Sequence, residues 1–170
     1  GGSKDYLGAV TIATDAATRS GVGLTFVATP EPAYRQIAGD IREAMYRSLP
    51  VDGNNDIQAA KAAKSIHELA AKSSSVTIGP GLGTSSRVKQ FLSTVLSEID
   101  NNTPLVLDAD ALNILSATHM WWERFTNPAI LTPHPGEMGR LMGITSVEVQ
   151  NDRLRIAQEA ANKFNKIVVL

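Results

Sequence analysis

The side chains best suited to chemistry in this chain fall in a few short segments. Ile78-Gly79-Pro80-Gly81-Leu82-Gly83-Thr84-Ser85-Ser86 places three glycines directly after an apolar run. Glycines there let the backbone approach a ligand and expose its N–H groups. A helix start behind them favours an anion through its unpaired N–H groups and its dipole. The spacing is that of neither the P-loop nor the dinucleotide fingerprint. A tight strand-to-helix turn, capped by Thr84 or Ser85, accounts for the same residues without a ligand.

Leu107-Asp108-Ala109-Asp110-Ala111-Leu112-Asn113 sets two carboxylates behind another apolar run. Such a pair could hold magnesium through water, orient a hydroxyl or take a proton. Asp110 reads first as the N-cap of the following helix, which leaves Asp108, nearer the strand, as the functional candidate. In Leu131-Thr132-Pro133-His134-Pro135-Gly136-Glu137, two prolines stiffen the backbone around a histidine, a glycine permits close approach, and Glu137 begins a helix. His134 is therefore better placed for binding than His67, on a surface helix, or His119, in a loop beside Trp121 and Trp122. Those tryptophans read as packing residues. The opening, Gly1-Gly2-Ser3 through Gly8-Ala9-Val10, is a loop entering a helix whose first turn carries no bulk, so a ligand could lie over it. Close packing of that helix on a sheet explains it equally.

Each segment sits where one secondary element hands over to the next. Helices are expected at Leu7 to Arg19, Gln58 to Lys72 (Ala63, Ile66 and Ala70 on one face), Ser85 to Ile99 (a Val88, Leu92, Val95, Ile99 stripe), Ala111 to Leu115 and Gly136 to Met142. A broken helix is expected over Pro32 to Met45. Another, opened by a Thr145/Glu148 capping box, is expected to run to about Phe164. Strands are expected at Leu24–Ala28, stopped by Thr29-Pro30, and at Val76–Ile78, Leu105–Leu107, Ala129–Leu131 and Lys166–Leu170. Pro50 to Asp56 is dense in turn formers. Short apolar strands alternating with helices predict an α/β fold, a parallel sheet covered by helices on both faces. In such sheets ligands bind at the carboxyl ends of the strands, where the segments above lie.

Composition narrows the field. The chain has 170 residues, 43% hydrophobic and 19% charged, with a formal net charge of −1. It is apolar enough to fold and long enough for a core without a staple. The charge balance argues against nucleic acid as a partner. Without cysteine, disulfides, Cys-ligated zinc and Cys nucleophiles are excluded. No apolar run approaches the roughly 20 residues of a membrane span, and no signal peptide opens the chain. A soluble, cytoplasmic protein is the expectation. The chain begins on a turn and closes on an apolar strand, so a piece of something longer is expected.

Taken in order, Gly1-Gly2-Ser3 with Gly8-Ala9, Gly79-Pro80-Gly81-Leu82-Gly83, Asp108-Ala109-Asp110-Ala111-Leu112-Asn113 and Thr132-Pro133-His134-Pro135-Gly136-Glu137 resemble the NAD(P)H-hydrate dehydratases of the ribokinase-like superfamily. The His-Pro-Gly-Glu form resembles the ADP-dependent branch. The resemblance implies a three-layer ribokinase-like domain, here lacking its first strand and its C-terminal nucleotide-binding part. It implies a repair reaction in which the S-form of hydrated NADH or NADPH is phosphorylated by ADP (or ATP) with Mg2+. Loss of phosphate then restores the dinucleotide. By the same resemblance Ala9, Gly81, Gly83 and His134 bind the hydrated dinucleotide, and Asp108, Asn113 and Glu137 line the crevice. It places the catalytic base in a Gly-Thr-Gly-Asp motif beyond Leu170, so this stretch alone is expected to be inactive and to hold no metal. A homo-oligomer, a tetramer by resemblance, and an upstream epimerase domain are further implications. Two other readings stay open, a vitamin or sugar kinase of the same superfamily and a non-catalytic dinucleotide-binding piece.

Overall fold

The computed structural model describes residues 1–170. Its elements run α1 Gly8–Arg19, β1 Thr25–Pro30, α2 Glu31–Ile37, β2 Ala44–Leu49, α3 Ala59–Ala70, β3 Val76–Ile78, α4 Ser86–Glu98, β4 Leu105–Leu107, α5 Asp110–Ser116, β5 Ala129–Leu131, α6 Pro135–Met142, α7 Ser146–Asn151, α8 Arg153–Phe164 and β6 Ile167–Val168. A turn of tighter helix at Trp121–Glu123 interrupts the stretch between α5 and β5. The α/β class is as expected and every strand pairing is parallel. The strands group as a pair β1-β2 and a four-stranded sheet in the order β3-β4-β5-β6.

Each strand of the larger sheet steps to its next neighbour. Crossovers of the usual right-handed sense then send their helices to one face. Burial agrees. Leu105, Leu107, Ala129 and Leu131 are buried, whereas Val106 and Ile130, facing the other way, are half-buried and Thr77 is exposed. The covered face is filled by the stripe of α4 and by the small face of α3. Val88, Phe91, Leu92, Val95 and Leu96 of α4 are buried, as are Ala62, Ala63 and Ala70 of α3. Alanines suit both the helix and a close helix-to-helix approach. Trp121 is 1% exposed and packs against Phe164 at 4.8 Å between ring centres, the packing role expected of it.

Four expectations give way. Pro32–Met45 is not one broken helix: α2 ends at Ile37, and Ala44–Leu49 pairs with β1 as β2. Ala44, Tyr46 and Ser48 are half-buried while Met45 and Arg47 are exposed, a weak alternation that the polar residues disguise. Strand β1 runs through Thr29-Pro30 instead of stopping before them, since a proline at the last strand position forfeits no needed N–H bond. The helix expected from Thr145 to Phe164 divides at Asp152, whose non-helical backbone (φ −155°, ψ 69°) breaks it and whose carboxylate accepts from Arg155 N–H at 3.2 Å, so that Asp152 caps α8. The Thr145/Glu148 capping box itself is formed. Finally, the closing strand is not buried on both sides. Only Ile167–Val168 pairs, and Ile167 and Val169 are 61% and 58% exposed, on the same open face as Ile130, the register partner of Ile167.

Candidate active site

The carboxyl ends of β3, β4 and β5 are tied together by contacts that only their residue types permit. Gly79, directly after β3, has φ +129°, and a Cβ added there would lie 1.7 Å from the Asp108 carbonyl oxygen. Only glycine lets the end of β4 come this close. Gly81, at φ +64°, stands against Tyr6, whose carbonyl oxygen would be 2.6 Å from a Cβ. Gly2 N–H donates to the Pro80 carbonyl at 2.8 Å. The N-terminal segment is thus laid across the glycine turn and enters α1 beside it. Ala9 is exposed in the first turn of α1, and no atom crowds the Cβ position of Gly8. Close packing therefore does not explain the small residues there. Ser85 caps α4, its Oγ accepting from Val88 N–H.

At the end of β4 the chain turns sharply. Ala111 N–H donates to the Asp108 carbonyl at 3.0 Å, and Ala109 between them has φ 49° and ψ −115°. This is the first central position of a type II′ turn, where glycine is usual. An alanine held there stores backbone strain of order ~1–3 kcal/mol, and such strain gathers at functional sites. Asp108 Oδ1 accepts from the Thr132 hydroxyl at 2.8 Å, which joins the ends of β4 and β5. Asp110 is not the helix cap it resembles, for α5 has no side-chain cap. Its Oδ2 instead accepts from Gly83 N–H at 2.8 Å, and its Oδ1 faces Asn113 Nδ2 at 3.4 Å. Gly83 N–H is therefore engaged within the protein.

His134 caps α6. Its Nδ1 accepts from Gly136 N–H at 3.0 Å, so in the neutral imidazole the proton is on Nε2, which lies 3.4 Å from Glu137 Oε1. Glu137 closes the capping box by accepting from His134 N–H at 2.9 Å. Its side chain is 6% exposed and that of His134 63%. The carboxylate is thus a buried anchor and the imidazole the part open to a ligand. A shallow hollow of about 560 Å³ borders the site at Gly136 and Arg140.

Of the residues singled out in the sequence, Gly83, Asn113 and Asp108 join hydrogen-bond links between strand ends. Gly81 abuts the segment leading to Ala9, while His134 and Glu137 form one unit on α6. His67 is a surface-helix residue facing Glu98 at 3.3 Å, and His119 is exposed. Three contributors were not anticipated. Thr132 lies in the same motif as His134 and donates its hydroxyl to Asp108. Ala109 gives no outward sign of its conformation. Arg140 Nε donates to Asn113 Oδ1 at 3.0 Å. Its position three residues after Glu137 was its one available signal, since such neighbours share a helix face.

No group of three or more His, Cys, Asp or Glu side chains here is arranged to hold a metal ion. No helix is long and apolar enough to cross a membrane.

The description of the NAD(P)H-hydrate dehydratase family matches residues 1–170. The bifunctional NAD(P)H-hydrate repair enzyme of Moorella thermoacetica is 35% identical over 170 residues, 100% of this chain and 32% of that protein. The ADP-dependent (S)-NAD(P)H-hydrate dehydratase of Bacillus subtilis is 34% identical over 169 residues, 99% of this chain and 55% of that protein. Among solved structures, the B. subtilis ADP/ATP-dependent NAD(P)H-hydrate dehydratase co-crystallised with ATP and Mg2+ and soaked with CoA superposes with a TM-score of 0.73 at 31% identity. That match covers 99% of this chain and 56% of that one. A ribokinase-like superfamily protein of Enterococcus faecalis superposes with a TM-score of 0.80 at 26% identity, over 100% of this chain and 55% of that one. The chain thus spans about a third to about half of the length of these relatives. With its whole length matched by the family and its strand-end motifs gathered at one end of a ribokinase-like sheet, the chain belongs to the NAD(P)H-hydrate dehydratases.

Proposed function

We propose that the protein carrying this chain is an ADP-dependent (S)-NAD(P)H-hydrate dehydratase and that residues 1–170 form the dinucleotide side of its active site. The supporting observation is the convergence at one sheet end of the four motif segments, held there by the Gly79 approach to Asp108 and the Asp108–Thr132 and Asp110–Gly83 hydrogen bonds.

In this reading ADP transfers its terminal phosphoryl group to the hydroxyl of the hydrated nicotinamide ring. The phosphate then leaves with its bonding electrons, a proton is lost from the neighbouring carbon, and the ring double bond returns. AMP, phosphate and the repaired dinucleotide are the products. The residues here bind and orient. The exposed His134 imidazole offers its ring to a ligand, and the open first turn of α1 at Ala9 and the turn at Gly81 offer close backbone approach. Asp110 and Glu137 are engaged in holding the loops; by the family resemblance, the base that takes the hydroxyl proton belongs to a Gly-Thr-Gly-Asp motif beyond Leu170. Cytoplasmic location, a homo-oligomeric enzyme and an epimerase domain supplying the S-form belong to the same proposal.

The test is to incubate the full-length protein with hydrated NADH and ADP, with Mg2+ present. Restored near-ultraviolet absorbance of reduced nicotinamide, with AMP and phosphate in equal amounts, is expected. A stable phosphorylated product without the absorbance would identify a small-molecule kinase instead. Dinucleotide binding in calorimetry without turnover would identify a binding module.

A further inference from the structure

We infer that Arg140 is a positioning residue that fixes the Gly81–Gly83 loop through Asn113 and Asp110. The chain of contacts runs across three strand ends. Arg140 Nε on α6 donates to Asn113 Oδ1 at 3.0 Å. Asn113 Nδ2 faces Asp110 Oδ1 at 3.4 Å within α5, and Asp110 Oδ2 accepts from Gly83 N–H at 2.8 Å after β3.

The direction of each link follows from the first. A guanidinium can only donate, so it fixes which end of the Asn113 amide faces it. The NH2 group must then turn to Asp110, and one carboxylate oxygen remains for the Gly83 amide. Without Arg140 the Asn113 Oδ1 loses its donor, and the long 3.4 Å contact from Nδ2 to Asp110 is left to hold the amide alone. Arg140 forms no ion pair with a carboxylate, so the contact with Asn113 is its side chain's one polar tie to the rest of the chain. Arg140 itself is exposed, so its replacement leaves no cavity in the core.

The inference rests on the dinucleotide reading of the loop, and two measurements separate them. In full-length Arg140→Met protein without substrate, hydrogen exchange over the Gly81–Ser86 peptide is expected to accelerate while the thermal midpoint stays unchanged. In turnover, KM for hydrated NADH is expected to rise about tenfold, with kcat and KM for ADP within about twofold, the signature of lost substrate binding alone. Arg140→Lys should recover part of the loss. Combining Arg140→Met with Asp110→Asn should add little to the larger single effect, since both break one chain of contacts. Unchanged exchange over Gly81–Ser86, or additive effects in the double variant, overturns the inference. Absence of turnover in the unsubstituted protein overturns the functional reading alone, and the exchange measurement still decides the role of Arg140.

Discussion

Replacing Gly79 with alanine tests whether the strand ends are held together by the close approach of β3 to β4. A Cβ at this position falls 1.7 Å from the Asp108 carbonyl oxygen and 3.0 Å from the Ala111 Cβ. Neither neighbour is the flexible tip of a side chain, so the backbone must move. The φ of +129° adds a second cost that any L side chain would bear. Overpacking typically costs about 1–3 kcal/mol, and a residue forced into a glycine-only region about 1–3 kcal/mol more. The expected loss is therefore about 2–6 kcal/mol, a large share of the ~5–15 kcal/mol that holds an ordinary domain folded. Gly53→Ala is the matched control: no atom lies within 4 Å of its Cβ position and its φ is ordinary. Urea unfolding of the two variants beside the parent reads the difference. If Gly79→Ala unfolds within about 0.5 kcal/mol of Gly53→Ala, a value typical of uninvolved surface sites, the close approach does not hold the site and the reasoning is refuted.

Two other substitutions reach separate parts of the structure. Thr132→Val keeps the shape and removes the hydroxyl that donates to Asp108. A loss of about 1.5–3 kcal/mol in chemical unfolding is expected for a hydrogen bond to a charged group, and no loss would show that the carboxylate is satisfied elsewhere. Glu148 is held below its ordinary value of 4.5 by the Thr145 hydroxyl and N–H that donate to it. A lowered carboxylate contributes stability above its unfolded pKa and loses it as pH falls through the folded one. Glu148→Gln should thus lower the urea midpoint at neutral pH and lose that difference at a pH well below 4.5; a difference that persists in acid would show that the charge is not responsible.

What the sequence disclosed follows the range over which each signal acts. Helix α4 was legible because Val88, Leu92, Val95 and Ile99 repeat at helical spacing and all four are buried. The strand ends were legible because glycine and proline punctuate them. β2 was not, since Ala44–Leu49 becomes a strand by pairing with β1 and its own alternation is blurred by Arg47 and Ser48. The break at Asp152 was hidden because an aspartate inside a helical pattern gives no sign of capping until the backbone turns. The roles of Asp110 and Arg140 were out of reach for a different reason. Their partners, Gly83 and Asn113, are each 27 residues away, brought within reach only by the parallel pairing of the strands.

The order β3-β4-β5-β6 is also the order of synthesis. A chain emerging from its N-terminus therefore offers every new strand of this sheet a free edge on the strand made just before it. Among β3 to β6 none is inserted between two strands already paired. The loop closed at each step is one crossover long, and its entropy cost grows only slowly with length. Assembly can thus advance as the ribosome does. The strands that carry the site are then added one at a time, with the Gly83, Asp108 and Thr132 ends meeting in the sequence in which they were made.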